Sequence, residues 1–282
     1  PRRWVSHWTR SPQARPPSPS PDFPSYAAGP VRVSAFDAFV PPEASLARAA
    51  VLRGLADRVV AVRPGERAVV ALDGVDGAGK TVLGRELAAY LAGRREVHRA
   101  SVDGFHRPRV QRYAHGRTGE TFYEDSYDYD SLQSRLVEPF RDGKPFVTAV
   151  FDVLADAPVT SAPVVAGPDA LLVVDGIFLH RPELVDLWDA SVWVDVPFAI
   201  AVPRGNARFG PVGTAEADPC DPKNARYVEG QRHYVAMVAP TRRATWVLDN
   251  TDLDQPSWRV EGRPECGLQA RPGPPEGSSG LE

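Results

Sequence analysis

Gly74-Val75-Asp76-Gly77-Ala78-Gly79-Lys80-Thr81 fits the spacing G-x-x-x-x-G-K-[ST]. It lies directly after the apolar run Ala68-Val69-Val70-Ala71-Leu72 and before residues 82–91, whose apolar positions recur at helical spacing. Strand, glycine-rich loop and helix in that order are what a phosphate-binding loop requires. Glycines let consecutive backbone N–H groups turn inward without a Cβ in the way, and the helix presents its positive end to the same anion. All eight residues are therefore nucleotide-binding candidates. Lys80 supplies a point charge for the β- and γ-phosphates and Thr81 a hydroxyl for Mg²⁺.

The rest of the chain is compatible with a globular enzyme. With 43% hydrophobic and 24% charged residues over 282 positions, it can bury one large core or two small ones. A net charge of −3 offers no basic excess for nucleic acid. Cys220 and Cys266 stand far apart without metal-type spacing and read as unpaired thiols. No apolar stretch approaches the roughly 20 residues of a membrane span, and the first residues lack the apolar centre of a signal peptide, so a cytoplasmic protein is expected. A homo-oligomer is compatible with all of this.

Residues 1–30, dense in Pro, Ser and Arg, cannot bury enough surface to offset their ordering entropy and read as a disordered tail. The folded domain is expected over 31–254, with a second flexible tail over 255–282. Within the domain, 45–60 reads as a helix, 96–102 as a strand, and 131–138 as a short helix stopped by Pro139. Residues 146–153 read as a strand, 170–176 as a strand buried on both faces, 181–188 as a helix and 190–196 as a strand. Residues 198–209 begin at helical spacing that Pro203 interrupts, 224–238 read as a helix and 245–248 as a last strand. Alternating strands and helices predict an α/β fold of the P-loop type, with a mostly parallel five-stranded sheet, helices on both faces and a small lid. Ligands gather at the carboxyl ends of such strands, where Gly74, Asp103 and Asp175 would emerge together.

Two acids stand out. Asp175 closes an apolar strand, where a carboxylate can hold Mg²⁺ through water or simply cap the next turn. Asp103 ends the strand after the loop's helix, where it can take a proton from an attacking hydroxyl or serve as a turn residue with Gly104.

Asp103-Gly104-Phe105-His106-Arg107-Pro108, taken with the phosphate loop and Val174-Asp175-Gly176-Ile177-Phe178, resembles the uridine kinase family, in the wider group that includes pantothenate kinase and phosphoribulokinase. The likeness covers about 67–252. It implies ATP and Mg²⁺ as cofactors, a small-molecule acceptor, and Asp103 as the base toward the acceptor hydroxyl. Residues 119–132 are similar to the family's acceptor-binding segment, which makes Asp128, with Asp130 close behind, the match for the acid that holds sugar hydroxyls. Val150-Phe151-Asp152 looks like the strand end whose aromatic residue lines the acceptor pocket. His106, Tyr123 and Arg226 complete the expected substrate-binding set.

Two departures from the family pattern matter. The arginine-rich lid corresponds here to a region around 203–225, where Arg204 and Arg208 are four apart and suit the transferring charge, but Pro203 and Gly205 weaken a helix. Asp175 stands where uridine kinases often carry Glu. The resemblance implies an ATP-dependent kinase for a nucleoside-like acceptor. Pantothenate, a sugar or nicotinamide riboside are alternative acceptors, and a P-loop switch or ATPase is the alternative class.

Overall fold

The computed structural model describes residues 44–209 and 212–259, all within one compact unit. The expected first tail, and the second from residue 260 onward, lie outside the described residues.

In chain order the helices are α1 (Leu46–Val60), α2 (Lys80–Leu91), α3 (Arg109–Arg112), α4 (Gly119–Asp125), α5 (Tyr129–Leu132), α6 (Glu138–Asp142), α7 (Phe198–Asn206), α8 (Thr214–Ala217), α9 (Pro222–Val238) and α10 (Pro240–Arg243). The strands are β1 (Ala68–Gly74), β2 (Val97–Ser101), β3 (Phe151–Asp152), β4 (Ala157–Pro158), β5 (Leu171–Gly176), β6 (Ala190–Asp195), β7 (Trp246–Asp249) and β8 (Ser257–Arg259).

Six strands form the main sheet in the order β2-β5-β1-β6-β7-β8. The first five run parallel, and only β8 is antiparallel. Strands β1 and β5 are buried at every position, as their unbroken apolar sequences demand when helices cover both faces. Their register sets Leu72 opposite Asp175, while β2 sets Ser101 opposite the same residue. The three strands therefore end level, and the turns that follow them share one rim.

Local sequence accounts for the main helices. The Ser45 hydroxyl accepts from Arg48 N–H at 3.0 Å to cap α1, which buries Leu52, Leu55, Ala56 and Val59. Asp221 caps α9 and Pro222 occupies its first turn, where a missing N–H costs nothing. Helices α4 and α9 cross backbone to backbone at Gly119 and Gly230, because a Cβ on Gly230 would stand 2.6 Å from the Gly119 carbonyl oxygen.

Four local expectations change. Residues 146–153 do not join the main sheet. Phe146 bridges to Val164, Val150 N–H donates to Gly104 O at 2.8 Å, and only Phe151–Asp152 pairs, in a small hairpin with β4. Pro139 does not stop its helix. A π turn over Gln133–Val137 precedes it and the helix continues as α6. The carbonyl four residues before a proline loses its donor, and here that carbonyl, Arg135 O, accepts from Val147 N–H at 3.1 Å instead. Residues 181–188 form turns and a 3₁₀ segment over Val185–Leu187 rather than an α-helix. Finally, ordered chain runs past 255, because Ser257–Arg259 adds to β7 and Arg259 pairs with Asp195 at 2.6 Å and Asp249 at 3.1 Å.

Among the described residues no helix is long and apolar enough to cross a membrane. The tight crossing of α4 and α9 gives a direct test of the packing. Gly230→Ala should cost about 1–3 kcal/mol, seen as a lower urea midpoint with an unchanged slope.

Candidate active site

The phosphate loop follows β1 as expected. Gly77 and Gly79 have φ of +78° and +91°, and a Cβ on Gly77 would fall 1.9 Å from Ala201 O on α7, so both conformation and space restrict this position to glycine. Helix α2 starts at Lys80, directing its N-terminal N–H groups into the loop. The Lys80 side chain is buried and folds back to donate from Nζ to Val75 O at 2.9 Å.

Two amide side chains hold the loop from outside. Asp76 N–H donates to Gln231 Oε1 at 2.6 Å, and Gln231 Nε2 donates back to Asp76 Oδ2 at 3.3 Å. Asn250, just past β7, donates from Nδ2 to Ala78 O at 2.7 Å and accepts from Arg48 Nη1 at 3.1 Å. Arg48 is itself paired with the buried Glu86 of α2 at 2.5 Å. Loop, α1, α2 and the end of β7 are thus joined by one polar chain.

Beneath the loop lies a fully buried network. Asp73 Oδ1 accepts from Gly74 N–H at 2.7 Å, and its Oδ2 meets His180 Nδ1 at 2.7 Å and the Tyr234 hydroxyl. His180 Nε2 meets Ser191 Oγ at 2.9 Å, and His180 N–H donates to Tyr234 Oη at 2.9 Å. Asp73 and His180 are both 0% exposed, so the centre of this network fixes the start of the loop out of reach of solvent.

Thr81 Oγ1 donates to Asp175 Oδ2 at 2.8 Å, with Arg99 at 3.6 Å from the other oxygen. Burial raises the Asp175 carboxyl, against the Thr81 hydrogen bond and the charge of Arg99. Among the described residues no group of three or more His, Cys, Asp or Glu side chains could hold a metal ion. Mg²⁺ that arrives with a nucleotide needs only one or two protein oxygens besides phosphate and water, and the Thr81–Asp175 pair fits that demand. A cation there would also offset the burial of the carboxylate.

Asp103 sits on a 3₁₀ turn over Val102–Phe105 with an exposed carboxylate. Its Oδ1 accepts from the Tyr127 hydroxyl at 3.2 Å, and its carbonyl oxygen meets His106 Nδ1 at 2.9 Å. The His106 ring lies 4.4 Å from that of Tyr127. Burial lowers the imidazole and outweighs the opposing Asp103 charge, which leaves His106 neutral near pH 7. Burial, followed by Asp103 and Asp76, holds the Tyr127 phenol well above its ordinary value, so it remains a donor. The charge of Asp103 also raises the carboxyls of Asp76 and Asp175 behind the burial of each, which puts all three acids in one electrostatic neighbourhood.

The other expected residues divide. Asp128 caps α5, accepting from Ser131 N–H at 3.0 Å and Ser131 Oγ at 2.7 Å, and its own N–H ties it to Phe105 O at 2.7 Å. It adjoins the Asp103 turn with both oxygens already engaged. Tyr123 is buried among Phe178, His233 and Tyr234, with the Arg181 guanidinium 4.3 Å over its ring, which places it in the core. Phe151 is buried on the small hairpin. Helix α7 runs through Pro203, yet Arg204 turns away from Arg208: it donates to Asn250 O at 3.1 Å and Thr251 O at 2.9 Å. Arg208, on the following 3₁₀ turn, is the one whose charge reaches Asp76. Arg226 lies 4.5 Å from the Tyr113 ring. Gln231, Asn250 and the Asp73 network escaped the sequence reading. Only the position of Asn250, directly after a strand on the rim, offered a signal.

A central parallel sheet, a glycine-rich loop after β1 and an acid at the end of β5 define a P-loop nucleoside-triphosphate-binding fold. The chain shares its fold with two solved structures. It superposes on a possible uridine kinase from Bacillus stearothermophilus with a TM-score of 0.56 and 21% identity, over 71% of this chain and 97% of that one. A protein of Silicibacter sp. TM1040 named for a fructose transport system kinase gives a TM-score of 0.53 and 24% identity, over 67% and 94%. No protein-family model and no curated sequence matches the chain.

The raised Asp175 carboxyl has a testable sign. Its ionised form disfavours folding above the raised pKa, and that cost fades as pH falls through it. Near pH 7, Asp175→Asn without ligand should melt at the same or a higher temperature than the parent, with the gap closing at lower pH. The same variant should lose the extra stabilisation that Mg²⁺ adds to ATP over ATP with chelator, read by thermal shift.

Proposed function

We propose that the protein is an ATP-dependent phosphotransferase acting on a hydroxyl of a small molecule. One observation carries this reading: Lys80, the Thr81–Asp175 pair and the Asp103 carboxylate all lie at the rim where β1, β5 and β2 end level. ATP would lie with its β- and γ-phosphates against the N–H groups of Gly74 to Thr81, with Lys80 released from Val75 O to reach them. Mg²⁺, held by Thr81 and Asp175, would supply charge neutralisation of the β- and γ-oxygens.

Asp103 orients the acceptor hydroxyl and takes its proton as the oxygen attacks the γ-phosphorus. The bond to the bridging oxygen then breaks, ADP departs, and Asp103 returns the proton to solvent. The Tyr127 hydroxyl fixes the carboxylate for this step. Arg208, whose charge reaches Asp76, would be the lid residue that meets the transferring charge, whereas Arg204 anchors α7 to the end of β7. Helix α7, which packs against the loop at Gly77, would close over the phosphates and exclude water, which would otherwise compete as acceptor.

The resemblance to uridine kinase suggests a nucleoside as acceptor, used at its 5′-hydroxyl, and the whole is expected to work in the cytoplasm. Acceptor-dependent ADP release in a panel of nucleosides, sugars and hydroxy acids supports the kinase reading. Acceptor-independent turnover would make the protein an ATPase or switch instead. Lys80→Ala should abolish transfer. Asp103→Asn should lower kcat by about 10²–10⁴-fold with ATP binding nearly intact, and full activity in that variant would remove Asp103 from the role of base.

A further inference from the structure

Asn250 directly follows β7, is 0% exposed, and is bonded through both its main chain and its side chain. Its N–H donates to Asp195 O at 3.0 Å and its carbonyl oxygen accepts from Arg204 Nη1 at 3.1 Å. The side chain lies between Arg48 and the phosphate loop, with Oδ1 3.1 Å from Arg48 Nη1 and Nδ2 2.7 Å from Ala78 O.

Chemistry decides which end of this amide faces the loop. A guanidinium only donates, so Arg48 has to meet Oδ1, and Nδ2 is left for the Ala78 carbonyl. Arg48 is itself held in place, since the buried carboxylate of Glu86 accepts from its Nε at 2.9 Å and its Nη2 at 2.5 Å. The Ala78–Gly79 peptide is trans and planar, so a carbonyl drawn toward Asn250 sends the Gly79 N–H the opposite way. Among the described residues that N–H donates to no other main-chain group. Gly79 is fitted to the asparagine: its φ is +91°, and a Cβ there would stand 2.9 Å from Asn250 Nδ2.

Gln231 acts on the loop in the opposite sense. It accepts from Asp76 N–H, while the carbonyl of the same peptide, Val75 O, accepts from Lys80 Nζ. One peptide of the loop thus has its N–H drawn out to α9, and another has its N–H released.

We propose that Asn250 is a positioning residue for phosphate binding: by holding Ala78 O, it aims the Gly79 N–H at a phosphate oxygen of the bound nucleotide, in an orientation set through Arg48 and Glu86. The inference rests on the phosphotransferase reading, in that the loop takes a nucleoside triphosphate. The contact with Arg204 is made by the main chain of Asn250, so a change of its side chain leaves the anchor of α7 in place.

Two variants and one spectroscopic signature test this. Asn250→Asp keeps an acceptor for Arg48 and removes the donor, whereas Asn250→Ser shortens the side chain without adding charge. Titrated by calorimetry well below their melting temperatures, both should bind Mg·AMP-PNP about 10- to 100-fold more weakly than the parent, the loss of one charge-assisted hydrogen bond. A residue serving stability alone would lower the melting temperature and leave this affinity unchanged. Protein carrying carbon-13 only at alanine carbonyls and nitrogen-15 only at glycine reports Gly29, Gly79, Gly93 and Gly167, the glycines that follow an alanine; of these only Gly79 belongs to the loop. On saturation with Mg·AMP-PNP its amide proton should move downfield in the parent, as in a short charge-assisted hydrogen bond, and move less in both variants. Parent-like affinity in both variants, a loss confined to Asn250→Asp, or a Gly79 signal that stays in place while the parent binds Mg·AMP-PNP would overturn the proposal. A parent that does not bind Mg·AMP-PNP would overturn the phosphotransferase reading, and this role with it. The parent's Gly79 signal decides the matter even if neither variant folds.

Discussion

Pairing of β5 between β1 and β2, in a register that ends all three strands at one level, is the constraint on which the site depends. Parallel strands force every strand-to-helix turn onto the same edge, so residues remote in sequence arrive together without any long-range device. The glycine-rich loop, the Asp103 turn and Asp175 meet for this reason. The same geometry crowds acids: the charge of Asp103 reaches both Asp76 and Asp175, opposed by Lys80 at both, by Arg208 at Asp76 and by Arg99 at Asp175.

The elements legible in the sequence were those whose signal is local. Apolar runs gave β1, β5 and β6, helical spacing of apolar residues gave α1, and the loop motif was unambiguous in its context. Where the reading failed, a distant partner decided. Pro139 looks like a helix stop until Val147 takes up the carbonyl it orphans, and 146–153 looks like a sheet strand until its N–H groups are spent on Arg135, Val164 and Gly104.

Side-chain roles were harder to read than elements. The motif singled out Lys80 and Thr81, and the end of an apolar strand singled out Asp175, because those positions are tied to backbone geometry. It could not say that Arg204 and Arg208, four residues apart, would face different ways once the helix ended at Asn206. Nor could it distinguish Tyr123, drawn into the core by Phe178 and Arg181, from Tyr127, which reaches Asp103. Gln231 was invisible for a different reason: its partner is a main-chain N–H and a carboxylate more than a hundred and fifty residues away.

The buried group formed by Ser191, His180 and Asp73 has the connectivity of a hydrolase's charge-relay triad. Nothing in its distances separates it from a nucleophile and its base; what separates it is that neither the imidazole nor the carboxylate meets water or a cleft. A template that matched atoms alone would sort this chain among the esterases. Access to a reactant therefore belongs in the definition of a catalytic constellation as much as spacing does, and the same three side chains act here as a girder.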